Sequence, residues 1–231
     1  MSNEIAATNG RSNATVRGDV TRDRLFDALE SIAADEGLGA LSHRSIARRA
    51  QLHSGLIHYH FGTVERLLEE AIARRAQRLS GAQLAALSAL FARGHWSVAD
   101  VVSALWQPFS ALGGAAEGGW RNYLCMVARF NGIDREALVA RHFDDVSCKA
   151  RDALAAALPE ADDETLRTGL RYVRTLFEQE AVSRCRKRMS GERRARDDRN
   201  LVRFAAAGLR GLAGVAAATS PYAMFRSAAA D

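Results

Sequence analysis

The sequence has few of the features that mark membrane, secreted or zinc-binding proteins. No apolar run approaches the roughly 18 to 20 residues of a membrane span, and residues 1–20 lack the apolar core of a signal peptide. The three cysteines, Cys125, Cys148 and Cys185, are odd in number and have no spacing typical of metal ligands. We therefore expect a cytoplasmic protein with no membrane partner, no disulfide framework and no zinc site.

Enzyme motifs are also missing. The sequence contains no Gly-x-Ser-x-Gly, no His-Glu-x-x-His, no phosphate-binding glycine loop and no dinucleotide fingerprint. Four histidines, His43, His53, His58 and His60, raise the question of a metal site. Positions 58 and 60 of one helix point about 200 degrees apart, however, and no cysteine or carboxylate lies near them. We predict no catalytic residue, no metal and no cofactor, and a protein that is not an enzyme.

Lysine is nearly absent, because Lys149 and Lys187 are the only two. The net charge of +5 and the isoelectric point near 9.5 therefore come from arginine, and an arginine-rich composition alone explains them as well as nucleic-acid binding does. A local absence is more informative. Residues 38–63 contain no Asp or Glu, but they contain three arginines and four histidines. A carboxylate would repel phosphates, so this acid-free window predicts a surface that faces nucleic acid.

The pattern inside the acid-free window predicts two short helices joined by a tight turn, from Ser42 to Phe61. The apolar positions lie at helical spacing, on one side of each helix or in the turn between them, and comprise Ile46, Ala47, Ala50, Leu52, Ile57 and Phe61. When that set packs inward, the side chains left facing outward are Arg44, Arg48, Arg49, Ser54, His58, Tyr59 and His60. This arrangement predicts a helix-turn-helix.

The rest of the chain shows helical spacing throughout and no alternating strand pattern, so the predicted fold class is all-α. A helix from Thr21 ends at Gly37, and another after Thr63 ends at Gly81. Later helices begin at a Ser97-x-x-Asp100 capping box and near Asp134, Asp162 and Asp197. We predict a disordered arm over 1–20, a helix-turn-helix domain over 21–66, a helical domain over 67–218 and a tail over 219–231.

The stretch LSHRSIARRAQLHSGLIHYHFGTVERLL resembles the DNA-binding segment of the tetracycline-repressor (TetR) family of bacterial regulators. The family pattern is met by Ser42, Ile46-Ala47, Ser54-Gly55, Ile57, His60-Phe61, Thr63 and Glu65. Three positions depart from it: Gln51 replaces the usual Gly, His58 the usual Tyr, and Val64 a phosphate-contacting Lys. The first departure predicts a non-glycine residue with positive φ in the turn.

The resemblance implies an N-terminal three-helix helix-turn-helix domain, a C-terminal helical ligand-binding and dimerisation domain, and a homodimer formed through the last two helices. Its implied partner is double-stranded operator DNA, contacted by Arg44, His53, Ser54, Gly55, Leu56, His58, Tyr59, His60 and Thr63. It also implies a ligand-responsive repressor that a small hydrophobic or amphipathic molecule releases from the operator. Two alternatives stay open: an architectural or constitutive DNA-binding protein without a ligand, and an activator of the same fold.

Large apolar side chains on successive central helices predict where the effector binds. Helices joined by short connections usually pack side by side, so these groups are expected to converge on one cavity. The set comprises Trp106, Phe109, Trp120, Met126, Phe130, Phe143 and Phe177. Arg121, Arg129 or His142 would supply polar anchors, and an arginine would favour a hydrophobic ligand that bears a carboxylate.

Overall fold

The computed structural model describes the backbone of residues 2–114, 119–127, 129, 133–186 and 191–217. Within these ranges it describes the side chains except those of 2–17, 112–114, 133–136, 138, 139, 185, 186, 191–193 and 215–217. The described residues form α-helices and one short 3-10 helix, with no strand, which confirms the predicted all-α class. The helices are α1 (Ser2–Asp35), the 3-10 helix (Leu38–Ala40), α2 (His43–Ala50), α3 (Gly55–Phe61), α4 (Val64–Arg93), α5 (Val98–Gly114), α6 (Gly119–Val127), α7 (Ile133–Ala157), α8 (Asp163–Arg186) and α9 (Gly191–Ala217).

The helices form two compact units. The first unit comprises Met1–Arg75 and Glu117–Phe130, and the second comprises Ala76–Ala116 and Asn131–Asp231. The division falls a few residues after the boundary at 66 that the sequence suggested. Helix α6 belongs to the first unit, whereas the predicted helical domain over 67–218 includes it.

Two helix boundaries differ from the sequence-based expectation. Helix α1 begins at Ser2, so the backbone predicted as a disordered arm over 1–20 is helical in the structure. That segment contains no proline to stop the helix. Helix α4 does not end at Gly81 but continues to Arg93. One glycine in a helix costs only about 1 kcal/mol, and burial of Leu79 and Leu87 on either side of it outweighs that cost.

The core of the first unit lies where α1 meets α2 and α3. Its fully or almost fully buried apolar side chains are Leu25, Leu29, Ile32, Ile46, Ile57, Phe61 and Leu67. Phe26 meets Phe61 edge to face, with ring centroids 5.3 Å apart. The inward-facing positions predicted for the two short helices are confirmed, since Ile46, Ala47, Ala50, Ile57 and Phe61 are all buried.

A buried ion pair joins three helices of the first unit. Glu30 of α1 is 0% exposed and accepts two hydrogen bonds from Arg75 of α4, at 2.9 Å from Nε and 2.8 Å from Nη2. The ring of Trp120 on α6 lies 5.3 Å from the Arg75 guanidinium. A side chain at Gly119 would collide with that guanidinium, so the start of α6 approaches as closely as it does because position 119 is glycine.

Burial and neighbouring charges shift the pKa values of Glu30, Arg75 and Tyr123 in this cluster. Burial raises the pKa of the Glu30 carboxyl, while the hydrogen bond and charge of Arg75 oppose that rise. Burial by itself would lower the pKa of Arg75, but Glu30 outweighs it and the pKa is raised. Burial and the nearby Glu30 charge also raise the pKa of Tyr123, whose ring meets Trp120 edge to face at 5.6 Å. Arg75 is therefore the main group that offsets the cost of burying the Glu30 carboxylate.

The core of the second unit forms around α5, which packs against α7, α8 and α9. Buried side chains from these helices include Val101, Val102, Leu105, Trp106, Leu154, Leu166, Phe177 and Leu209. The capping box predicted at the start of α5 is confirmed. The Ser97 backbone N–H donates to Asp100 Oδ2 at 2.7 Å, and the Asp100 N–H donates to Ser97 Oγ at 3.3 Å.

Replacing one partner of the buried pair should destabilise the first unit strongly. We expect Arg75→Met to lower the free energy of unfolding by about 3–5 kcal/mol, because Glu30 stays buried without its two hydrogen bonds and with only Arg74, 3.7 Å away, to offset its charge. The double variant Glu30→Leu/Arg75→Met should recover most of the loss. Urea unfolding followed by circular dichroism measures both.

Arg167→Met is the matched control, since it removes an exposed pair with Asp163 and should cost no more than about 1 kcal/mol. Equal losses for Arg75→Met and Arg167→Met would contradict the structural role of the buried pair.

Candidate nucleic-acid interface

The first short helix, α2, has a fixed start. The Ser45 backbone N–H donates to Ser42 Oγ at 3.1 Å, and the Ser42 N–H donates to Ser45 Oγ at 3.0 Å. Ser45 Oγ also donates to the carbonyl of Ala40 at 2.8 Å. These bonds satisfy donors that a helix start otherwise leaves unpaired. Arg44 is exposed in this first turn, so its side chain projects from an ordered backbone.

The turn between α2 and α3 contains the predicted non-glycine residue with positive φ. Gln51 has φ 54° and ψ 47°, and its N–H donates to the carbonyls of Ala47 and Arg48. Arg24 of α1 donates from Nη2 to the carbonyl of Ala50 at 2.6 Å. Gln51 ends α2 through its left-handed conformation, and Arg24 holds that end of α2 against α1.

The second short helix, α3, buries one side and exposes the other. Ile57 and Phe61 are buried, whereas Tyr59 is 81% exposed. The Gly55 N–H donates to His53 Nδ1 at 3.2 Å, and a Cβ atom at position 55 would lie 3.2 Å from the same nitrogen. The helix therefore begins with a histidine cap that fits closely over a glycine.

The structure brings the sequence-predicted contact residues together around α3. Those that are exposed are Arg44, His53, Ser54, Gly55, His58, Tyr59 and Thr63, while Leu56 and His60 are half-buried. His58 Nδ1 lies 3.2 Å from the carbonyl of Gly62, and the rings of Tyr59 and His60 meet edge to face at 5.0 Å. Thr63 Oγ1 accepts the Arg66 N–H at 3.2 Å, so this hydroxyl caps the start of α4.

One arginine of the acid-free window does not face outward freely, contrary to the sequence-based expectation. Arg49 Nη2 lies 2.8 Å from Glu36 Oε1, and Arg49 Nη1 lies 3.4 Å from Asp35 Oδ2. Carboxylates just outside the window therefore bind it to the end of α1. Arg44 and Arg48 are exposed and form no ion pair with any described residue, so they keep their charges available to a partner.

The residues predicted to bind an effector are divided between the two units. In the second unit, Trp106 lies 4.9 Å from Phe177 and 6.2 Å from Phe109 between ring centroids, and Phe143 packs against the same core. Trp120 and Met126 are instead buried within α6 of the first unit. Phe130 lies outside the described residues.

The proposed polar anchors are divided in the same way. Arg129 belongs to the first unit, where Nη2 donates to the Ala34 carbonyl at 2.8 Å, and Arg121 lies on α6 of that unit. His142 belongs to the second unit. Its pKa is lowered, mainly by burial and to a lesser extent by the charge of Arg141. The set predicted as one cavity thus does not lie in one compact unit.

A polar cluster that the sequence did not predict lies beside the rings of the second unit. Asp198 of α9 accepts hydrogen bonds from Trp106 Nε1 and Ser110 Oγ, each at 2.7 Å, and from Arg184 Nη1 of α8. The Arg184 guanidinium also lies 4.9 Å from the Trp106 ring centroid. Burial alone would raise the pKa of Asp198, but the three hydrogen bonds outweigh it and lower that pKa. Arg184 lies 14 positions from Asp198 and Trp106 lies 92 positions from it, so no local pattern indicated this cluster.

Two further classes of site have no support in the described part of the chain. None of its helices combines the length and apolar character needed to cross a bilayer. Among the described side chains, no three His, Cys, Asp or Glu residues lie close enough together to hold a metal ion.

Two protein-family models match the chain. Residues 25–71 match the model described as bacterial regulatory proteins, tetR family, which covers α2, α3 and the parts of α1 and α4 next to them. Residues 103–208 match the model described as tetracyclin repressor-like, C-terminal domain. Together the two matches cover about two thirds of the chain. No curated protein matches the chain in sequence.

Solved structures with the same fold include bacterial regulators. The multidrug binding protein EbrR, in complex with malachite green, has a TM-score of 0.54 and 21% identity over 83% of this chain and 96% of its own. A transcriptional regulator from Rhodococcus sp. Rha1 has a TM-score of 0.52 and 21% identity over 87% of this chain and 99% of its own. Mycobacterium smegmatis AmtR has a TM-score of 0.51 and 19% identity over 87% and 95%. At these identities the likeness concerns the fold.

Glycine should stabilise the protein at position 51, where φ is positive, and destabilise it inside a helix. Gln51→Gly should raise the free energy of unfolding by up to about 1 kcal/mol, because glycine adopts positive φ without steric cost. Gln77→Gly, at an exposed position inside α4, should lower it by about 1 kcal/mol. Urea unfolding of both variants is the measurement. A loss of stability in both would contradict the turn geometry.

Proposed function

The chain belongs to the tetR family of bacterial regulatory proteins, and we propose that it is a cytoplasmic, homodimeric repressor of transcription. In this proposal each subunit places α3 in a major groove of operator DNA. A small hydrophobic or amphipathic molecule, bound in the second unit, releases the repressor from that operator.

The observation that supports DNA binding best is the exposed side of α3. The outward side chains of α3 and of the residue before it, including Ser54, His58 and Tyr59, are hydrogen-bonding groups, and a helix is narrow enough to enter a major groove. No carboxylate occurs between residues 38 and 63 to repel phosphates. Arg44, exposed at the start of α2, would contact a guanine or the adjacent backbone.

The surface of α8 and α9 supports a dimer. Phe204 is 70% exposed and Tyr172 is 54% exposed, which is unusual for aromatic side chains of this size unless another surface covers them. Along α9, positions 208 and 211 are glycines with open space where a side chain would stand. Small residues allow a second helix to approach closely, so a two-fold, four-helix interface between subunits would cover this face.

The aromatic cluster of the second unit supports the ligand site. Trp106, Phe109, Phe143 and Phe177 would line it, and EbrR, which shares the fold, is a multidrug binding protein crystallised with malachite green. A ligand lowers DNA affinity only by binding the released state more tightly than the DNA-bound state. A hundredfold loss of operator affinity requires a hundredfold preference, or about 2.7 kcal/mol. Helix α4 begins in the first unit and ends in the second, so it is a covalent path between the two sites.

Removing the side chain of Arg44 should weaken specific DNA binding without unfolding the protein. We expect Arg44→Ala to cost about 1–3 kcal/mol of operator affinity in a gel-shift titration at fixed salt concentration. Arg167→Ala is the control, because it removes the same charge from an exposed position of α8 in the second unit. If the two variants bound the operator equally well, Arg44 would have no role in recognition.

A charge placed on the exposed face of α9 should weaken the dimer. Phe204→Glu is expected to raise the dimer dissociation constant roughly 30-fold, a loss of about 2 kcal/mol, since an aromatic side chain would be lost from a buried interface. Sedimentation equilibrium measures that constant. Phe91→Glu, which changes another exposed aromatic residue, should leave the dimer intact. A Phe204→Glu protein with the same dissociation constant as the wild type would place the interface elsewhere.

A further inference from the structure

The end of α3 holds the ring of His58 in one orientation. Gly62 follows the helix with φ 77°, and its N–H donates to the His58 carbonyl at 3.0 Å. The Gly62 carbonyl in turn lies 3.2 Å from Nδ1 of His58. A carbonyl oxygen can only accept a hydrogen bond, so Nδ1 carries a hydrogen and donates it. The neutral ring of His58 therefore has no hydrogen on Nε2.

Two neighbouring histidines differ from His58 in this respect. His53 Nδ1 accepts the Gly55 N–H at 3.2 Å, so the hydrogen of its neutral ring is on Nε2. His60 makes only ring contacts with described residues, so its neutral ring can carry the hydrogen on either nitrogen. Neutral His53 and neutral His60 can thus each donate to an acceptor outside the protein. Neutral His58 can only accept there, because its one hydrogen is already used.

In a major groove, the position of His58 on α3 faces a wall of phosphates rather than the base edges. Ile57 and Phe61 mark the buried side of α3. Successive residues of a helix are about 100° apart, so Tyr59 lies opposite that side, in agreement with its 81% exposure. His58 and His60 lie on opposite flanks, each about 80° from the buried direction. With Tyr59 directed at the base edges, the two flanks face the two sugar–phosphate strands.

In the described part of the chain, no carboxylate binds His58. Glu65, exposed in the first turn of α4, is the only carboxylate between residues 37 and 66, and it forms no ion pair with His58. Glu70 of the same helix is paired with Arg22 and Arg66. A positive charge on His58 would therefore be available to a phosphate. The other charged or titratable groups on the elements around it are cationic or neutral: His43, Arg44 and Arg48 of α2, His53 in the turn, and Tyr59 and His60 of α3.

We propose that His58 binds a phosphate of operator DNA as the imidazolium. Nδ1 keeps its bond to the Gly62 carbonyl, and a second proton, taken from the solvent, lets Nε2 donate to a phosphate oxygen. DNA binding then takes up a proton, so operator affinity rises as the pH falls through the range in which histidine side chains titrate, around pH 6.5. The proposal rests on the DNA-binding function proposed above and adds a pH dependence to it.

Binding titrations of the full-length protein at two pH values test this contact. The probe is a fluorescent duplex with the sequence that the wild type enriches from a random pool, and the ionic strength is held constant. We expect the wild type to bind about tenfold more tightly at about pH 6 than at about pH 8. His58→Tyr should bind equally well at both, because a tyrosine hydroxyl donates at either pH. Position 58 is exposed, so the variant should fold, and circular dichroism at both pH values checks this.

A matched control and a second readout separate His58 from the other histidines. His60→Gln removes the histidine of the opposite flank, whose neutral ring can already donate, so this variant should keep most of the tenfold change. Salt dependence reports the phosphate contact itself. For the wild type, the slope of log affinity against log salt concentration should be steeper by about one unit at the lower pH. For His58→Tyr, the slopes at the two pH values should be equal.

The sign of the pH dependence distinguishes a phosphate contact from a base contact. Affinity that falls on acidification in the wild type but not in His58→Tyr would mean that neutral His58 accepts from the amino group of a base, and it would overturn the proposal. The same pH dependence in both proteins, or none in either, would also overturn it while leaving DNA binding intact. A wild type that binds no duplex at either pH would instead overturn the proposed function, and this contact with it.

Discussion

A carboxylate without access to water needs a partner, and in the first unit Arg75 is the partner of Glu30. This ion pair is the most buried of several that join α1 to α4, and Trp120 covers its guanidinium from α6. Removing either charge leaves the other buried, which is far more costly than losing an exposed pair. Helix α1 also provides Leu25, Phe26 and Leu29 to the core on which α2 and α3 rest. The position of α2 and α3, and so of the proposed DNA-contacting surface, therefore depends on the helix that this pair of charges anchors.

Helix α3 could not hold its shape alone, because helices of its length are unstable in water. Its orientation comes from the burial of Ile57 and Phe61. The Phe61 ring is bounded by Phe26 on one side and by the Arg22 guanidinium, 4.7 Å from its centroid, on another. Arg22 is in turn paired with Glu70 of α4. The residues that orient α3 are thus different from those that face outward. The outward residues can therefore differ without changing how α3 packs.

Local patterns in the sequence predicted the structural features that depend on residues close together in the chain. The buried positions of α2 and α3, the positive φ of Gln51 and the capping box at Ser97 involve residues a few positions apart, and the structure confirms them. Contacts between distant residues were not predictable in this way. A buried Glu30 has the same sequence pattern as an exposed one, and its partner lies 45 positions away. The bond from Trp106 to Asp198 spans 92 positions, and the pairing of Arg49 with the end of α1 and the placement of α6 were missed for the same reason.

If the exposed side of α3 reads DNA sequence, as proposed, its outward side chains determine which duplexes the protein selects. Selection of duplexes from a random pool, with the wild type and a His58→Ala/Tyr59→Ala variant in parallel, tests this role. Both residues point away from the core, so the variant should fold normally. We expect the wild type to enrich an inverted repeat whose half-sites are about one helical turn apart, and the variant to enrich no sequence. Enrichment of the same repeat by both proteins, or of no sequence by the wild type, would contradict it.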